Sequence, residues 1–220
     1  MAQAASLAAP PSNAALFATH RTLILNADYH PLGYPLETLN AEDTLRGYFL
    51  GRFDVVSWSE TWAHSPTTEL RLPSVVALRD YIPAANLYGT PSCNLHNLFV
   101  RDRGLCQYTG QAVRLQAADK AHEATMDHVI PKCQAGAGNW DNVVLASWPA
   151  NNKKGHLSPE KAGFRLLSQP WVPSGADLLY LWLTEDRLAE LPTAWHDYLK
   201  ILKPTPRLLR MLERLERIAA

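Results

Sequence analysis

The stretch Thr125-Met-Asp-His-Val-Ile-Pro-Lys-Cys-Gln-Ala-Gly-Ala-Gly-Asn-Trp-Asp-Asn-Val-Val-Leu-Ala-Ser-Trp-Pro-Ala-Asn-Asn-Lys-Lys-Gly155 decides how this chain is read. A short strand delivers Asp127 and His128 and is closed by Pro131, whose missing N–H cannot continue a ladder. Gly136 and Gly138 make a loop, and Asn142-Val-Val-Leu-Ala146 returns from it as a second strand. Ser147 is a helix cap with Pro149 in the first turn, a position where proline is tolerated. Asn151, Asn152, Lys153 and Lys154 then lie around the N-terminal turns of that helix. Backbone amides and the helix dipole there favour an anion, and the lysines add positive charge. One carboxylate, one imidazole, carboxamides and two ammonium groups thus converge on a small hairpin-helix unit. Metal-assisted hydrolysis of a phosphodiester needs those parts.

Upstream, residues 1–20 are rich in Ala, Ser, Pro and Asn and read as a flexible arm. Arg21-Thr-Leu-Ile-Leu-Asn26 has strand character and runs into a turn at Tyr29-His-Pro31. A short helix follows, capped by Asn40, supported by Asp43 and ended by Gly51. Phe53–Trp58 and Glu69–Leu78 are further strands, the second interrupted by Pro73, and Pro83 to Pro91 is a boundary loop. From Asn97 to Gly155 the pattern is of short strands and glycine loops. Beyond Gly175 it turns helical. Asp177–Leu183 and Trp195–Leu202 read as core-facing helices, and from Pro206 an amphipathic helix closes the core. The predicted class is α+β. Its segments are an arm over 1–20, a strand-rich mixed α/β module over 21–90, the hairpin-helix unit over 91–165 and a helical extension over 166–220.

Composition narrows the roles open to such a chain. At 220 residues, 47% hydrophobic and 19% charged, it is long and apolar enough to bury a core, which excludes wholesale disorder. Lys+Arg and Asp+Glu both number 21, for a formal net charge of zero. Proteins that coat nucleic acid without sequence preference are usually strongly basic, so any phosphate contact here falls to a local cluster. The longest apolar run, Leu178–Leu183, is too short to span a bilayer, and no membrane partner is expected. The start, Met1-Ala-Gln-Ala-Ala-Ser, has no basic n-region, which argues against a secretory signal. Cys93, Cys106 and Cys133, odd in number and widely spaced, make no disulfide framework, so a cytoplasmic location is expected.

The central stretch resembles the HNH nucleases, the ββα-metal endonucleases. Their pattern is Asp-His followed by two aliphatic residues and Pro, a glycine loop, an acidic residue with Asn-Val, then His or Asn and a basic pair with Gly. Here these are Asp127-His-Val-Ile-Pro131, Asp141-Asn-Val143, Asn151 and Lys153-Lys-Gly155. The match extends upstream through Asn97-Leu-Phe-Val-Arg-Asp102 and Cys106-Gln-Tyr108. Leu23–Leu32 and Leu72–Leu78 are similar to the module that precedes the nuclease unit in many bacterial HNH proteins. The resemblance implies a ββα-metal unit and a metal-dependent DNA endonuclease that leaves a 5′-phosphate and a 3′-hydroxyl. His128 would be the general base, and Asp127 and Asn151 would hold one divalent ion. Asn142 would hold the loop and orient His128, while Lys154 and Lys153 would contact DNA phosphate. An oxygen ligand at Asn151, where many relatives have His, makes Mg²⁺ or Mn²⁺ the expected metal. Asn152 replaces Asn151 in that role if the helix starts one residue differently.

One departure matters. Relatives often carry two Cys-x-x-Cys pairs that bind a structural zinc around this unit. Here the pairs read Cys106-Gln-Tyr-Thr109 and Ser147-Trp-Pro-Ala150, so the four-thiolate site is not expected and Thr109, Trp148 and Ala150 fill its place by packing. A substitute site from Cys93, His96, Cys106 and Cys133 has workable spacing at Cys93-x-x-His96. Two rival readings keep the nuclease unit but change its use. One is a non-catalytic DNA-binding or assembly protein on a degenerate unit. The other is a nuclease subunit that works only with a protein partner or as a homodimer, which a net charge of zero favours.

Overall fold

The computed structural model describes residues 13–83 and 88–219, and the chain divides into two units. The first contains the residues up to Leu32, Leu36–Ile82 and Ala189–Ile201. It opens with α1 (Asn13–Thr19), β1 (Arg21–Leu25), β2 (Thr38–Asn40), α2 (Ala41–Phe49), β3 (Phe53–His64) and β4 (Glu69–Leu78). The strands form one sheet in the order β2-β1-β4-β3, with β1 antiparallel to β2 and parallel to β4, and β4 antiparallel to β3. An inner strand is covered on both faces, and β4 accordingly buries a continuous run from Leu72 to Ala77. Asn40 caps α2 as expected, its side chain accepting from the Asp43 N–H at 2.8 Å. Gly51 turns the chain out of the helix at φ 64°, and its N–H donates to the Tyr48 carbonyl.

Two expectations for this unit are corrected. Pro73 does not interrupt β4. It lies opposite Trp58 beside a register shift, while the ladder with β1 begins only at Val75, so no N–H is demanded of it. The arm expected over 1–20 is partly structured. Residues 1–12 lie outside the described residues, but α1 brings Leu16 into a buried cluster with Ala41, Ala63 and Leu72.

The second unit contains residues 33–35, 83–188 and 202–220, within which 84–87 of the expected boundary loop are outside the described residues. Its elements begin with α3 (Leu95–Arg101), β5 (Ala124–His128), β6 (Val143–Ser147), α4 (Trp148–Lys154) and α5 (Gly175–Trp182), followed by α6 (Glu185–Glu190). β5 and β6 form an antiparallel hairpin in which Asp127 lies opposite Val144 and His128 opposite Val143. A core that includes Leu98, Cys106, Tyr108, Leu145 and Leu178 packs against it. Where short strands were expected after Asn97 there is a helix, because the Asn94 side chain caps it at the Asn97 N–H and Leu98 and Arg101 share its buried face. The helical extension expected over 166–220 is also divided. After α6 come α7 (His196–Leu199) and α8 (Pro206–Ala219). Residues 189–201 belong to the first unit, where the Trp195 indole donates to the Ser74 carbonyl at 2.9 Å. Residues 202–220 belong to the second. Taken together the chain is an α+β protein, and among the described residues no helix is long and apolar enough to cross a membrane.

An ion pair fixes the second unit. Arg101 and Asp102 are both buried and meet through two hydrogen bonds of 2.8 and 3.0 Å. The remaining guanidinium N–H groups donate to the carbonyls of Trp140, Val143 and Trp171, and Asp102 accepts the Leu145 N–H at 2.7 Å. Burial pushes the Asp102 carboxyl up, and Arg101 and the Leu145 N–H oppose that shift. Removing one partner leaves an uncompensated buried charge. We therefore expect Arg101→Met to lower unfolding stability by about 3–5 kcal/mol, read from urea denaturation. A loss below about 1 kcal/mol, the scale of an exposed pair, would show that the pair is not structural.

Candidate active site

The hairpin and α4 bring the sequence-predicted site residues onto one small unit. Ser147 ends β6 and caps α4, its hydroxyl accepting from the Ala150 N–H, with Pro149 in the first turn as expected. Asn142 staples the loop between the strands. Its Oδ1 accepts from the Ile130 N–H at 2.8 Å, and its Nδ2 donates to the carbonyls of Ile130 at 3.0 Å and Ala137 at 2.8 Å. Three otherwise orphaned backbone groups are satisfied by one carboxamide. Its own carbonyl accepts the Val129 N–H, so the residue beside His128 is tied on both strands. All of these bonds go to backbone groups of the loop that follows His128.

His128 is half-buried, and its Nε2 is the one buried side-chain nitrogen or oxygen without a hydrogen-bond partner among the described residues. That atom faces Gly138, where an added Cβ would come within 3.4 Å of it. Burial first, then the ammonium groups of Lys132 and Lys154, hold its pKa below the ordinary imidazole value of 6.5, and Asp127 opposes without cancelling them.

Asp127 is buried and held from two sides. The Tyr108 hydroxyl donates to Oδ2 at 2.5 Å, and Lys154 Nζ lies 3.0 Å from the same oxygen and 3.4 Å from Oδ1. Burial, reinforced by that hydrogen bond, pushes the Tyr108 hydroxyl well above its ordinary range, so it remains a phenol and a donor. Asn151 donates from Nδ2 to Thr125 Oγ1 at 3.1 Å and to the Met126 carbonyl at 3.4 Å. Its amide nitrogen is thereby committed to β5, and the carboxamide oxygen is the end left for a ligand. Asn152 is exposed on α4, so Asn151 is the residue turned to the hairpin.

The lysines divide, and here one expectation is corrected. Lys153 is exposed, with Nζ 4.9 Å from the Phe164 ring centroid, and remains a surface cation. Lys154 does not face solvent. It is 1% exposed and donates to the His128 carbonyl at 2.8 Å besides pairing with Asp127, so it is not placed to meet phosphate. The i,i+3 spacing of Asn151 and Lys154 puts both on one helix face, the signal in the sequence that could have foretold this. Tyr108 belonged to the resemblance, but nothing local in its sequence gave it a role.

The donor set can be weighed against a metal. Asp127 and Asn151 offer oxygen, and no group of three or more His, Cys, Asp or Glu is placed to hold an ion among the described residues. Two hard oxygen donors fit an ion that keeps several waters, Mg²⁺ or Mn²⁺, rather than a fully ligated zinc. The substitute set from Cys93, His96, Cys106 and Cys133 does not assemble, since Cys133 is exposed and Cys106 buried in the core. At the remnant cysteine pairs, burial raises the Cys106 thiol, but hydrogen bonding with Thr109 and with Ser147 outweighs it and leaves the pKa below the ordinary value. Hydroxyl groups thus stand around the one remaining sulfur, and Ala150 is buried in the same cluster.

This arrangement, a two-stranded hairpin and a helix with Asp127, His128, Asn142 and Asn151, defines a ββα unit. Residues 22–86 match the family model described as HNH endonuclease-associated, N-terminal domain. That match relates the chain to HNH-type proteins through its first unit, and it does not extend to Asp127–Gly155. No curated protein and no solved structure matches the chain.

The loop supplies a test of its own. A Cβ on Gly136 would fall 1.7 Å from the Ile130 carbonyl oxygen and 2.9 Å from Asn142 Nδ2. Gly136→Ala is expected to cost about 2 kcal/mol or more, whereas Gly138→Ala, at ordinary contact distance, should cost under about 1 kcal/mol. Thermal denaturation of both variants measures the difference, and equal losses would overturn the loop's close packing.

Proposed function

We propose that the chain is a metal-dependent DNA endonuclease, with its chemistry on the β5–β6–α4 unit. The observation that carries this reading is His128. It is an imidazole held neutral at physiological pH, set on a backbone stapled by Asn142, next to a buried carboxylate and on a strand to which the Asn151 carboxamide is bonded. The N-terminal match to an HNH-associated module supports it independently.

In this reading His128 takes a proton from the water that attacks phosphorus. Nε2 is shut off from solvent, so the nitrogen that meets water is Nδ1. Asp127 and Asn151 would hold one divalent ion through oxygen. When bound, that ion supplies Lewis-acid stabilisation of the phosphate and of the leaving 3′ oxygen. Tyr108, a donor at all accessible pH, keeps the Asp127 carboxylate from rotating. Lys153 is the exposed cation beside the unit and the candidate phosphate contact. A partner-dependent nuclease subunit is the second reading, favoured by the zero net charge and by the burial of Lys154, which removes one cation from the DNA-facing surface.

Supercoiled plasmid incubated with the full chain should be nicked in Mg²⁺ or Mn²⁺, not in EDTA, and His128→Ala should lower the rate by about 100-fold or more. Cleavage that persists in the variant would overturn the assignment of the base. The pH profile gives a separate check. A base works deprotonated and its pKa here is lowered, so the rate should rise through a midpoint below 6.5 and level off above it. A midpoint above that value in kcat/KM would contradict the geometry of His128.

A further inference from the structure

Lys154 is the largest fully buried side chain described, and the proposed chemistry makes no use of its charge. Its three donors face a carbonyl and a carboxylate: 2.8 Å to the His128 oxygen, 3.0 Å to Asp127 Oδ2 and 3.4 Å to Oδ1. The two carboxylate oxygens are therefore unequal. Oδ2 accepts the Tyr108 hydroxyl at 2.5 Å and has the closer ionic contact, whereas Oδ1 accepts the hydrogen bond of the ammonium at 3.4 Å. Both oxygens are thereby engaged, and an incoming cation has to share Oδ1 with the ammonium.

We propose that Lys154 is a positioning residue for cation uptake: its ammonium holds Asp127 by hydrogen bond and charge, and keeps the free protein's affinity for a divalent ion low. The inference rests on the nuclease reading of the site. Its physical basis is charge. The Asp127–Lys154 pair is neutral as a unit, so a divalent ion at Oδ1 meets a carboxylate already compensated and an ammonium a few ångströms away in a poorly screened setting. The scissile phosphate brings the missing negative charge. Ion and DNA then bind together more tightly than either does alone, so the ion is admitted with its substrate.

The test measures Mn²⁺ binding to the full chain without DNA, by electron paramagnetic resonance of the free ion. Lys154→Met keeps the length of the side chain and removes its charge. We expect it to bind Mn²⁺ about tenfold or more tightly than the parent, and the Asp127→Asn/Lys154→Met double variant to lose that gain. Tyr108→Phe frees a lone pair on Oδ2 but leaves the ammonium, so its affinity should stay within about twofold of the parent. Equal affinity in parent and Lys154→Met would overturn the inference and leave the nuclease reading intact. No Mn²⁺ on either at millimolar concentration would likewise overturn the inference, while the nuclease reading is decided by plasmid cleavage. Should Lys154→Met be unfolded in metal-free buffer, Mn²⁺ is expected to restore a cooperative melt by circular dichroism. A chain that stays unfolded with Mn²⁺ overturns the proposal.

Discussion

The second unit is organised by a salt bridge that no solvent reaches. Arg101 is bound to Asp102 by its neighbouring position in the chain, yet both groups face inward and use their remaining bonds on distant backbone, from Trp140 and Val143 to Trp171. Because Asp102 also takes the Leu145 N–H, the pair grips β6 at two successive inward positions. Antiparallel pairing then passes the position of β6 to β5, and a one-residue slip would turn each of Asp127 and His128 to the face that the other now holds. Buried ion pairs often contribute little net stability compared with apolar residues of the same size. What this one contributes is register, and the candidate site depends on register.

A second buried pair, Lys154 with Asp127, lies on the same hairpin and differs in kind. The first pair is saturated by backbone groups on every side. In the second, both carboxylate oxygens are held by side chains alone, and on the next residue the His128 Nε2 has no hydrogen-bond partner. Interiors normally satisfy such groups, and the exceptions concentrate where a ligand or a reaction completes them. The contrast sets apart a pair saturated by backbone from one held by side chains beside an unsatisfied imidazole.

Much of this was legible in the sequence where local chemistry decides the outcome. Ser147 with Pro149 and Asn40 with Asp43 are capping signals that operate within four residues, and both helices begin where those signals stand. The loop-holding role of Asn142 came from the resemblance to HNH nucleases and not from local chemistry, and the residue makes those bonds. The failures share a cause in tertiary structure. Residues from Asn97 onward read as short strands and glycine loops, and it is the Asn94 cap together with the buried face of Leu98 and Arg101 that makes 95–101 a helix. Lysine is the side chain least expected in a core, and Lys154 is there because a carboxylate waits opposite it on β5, nearly thirty residues earlier in the chain. Pro73 looked like a break because sequence alone does not tell which side of a strand lacks a neighbour.

The return of residues 189–201 to the first unit bears on how the protein is made. Trp195 is 3% exposed and its indole is bonded to Ser74, so part of the packing on β4 is supplied by chain that lies beyond the whole hairpin-helix unit. Domains generally fold in the order in which they emerge during synthesis. Here the sheet whose strands emerge first waits for its last piece, while the hairpin and α4 have all their own strands and caps some forty residues sooner. The part of the molecule translated first therefore cannot be completed until the strands and caps of the hairpin and α4 have already emerged.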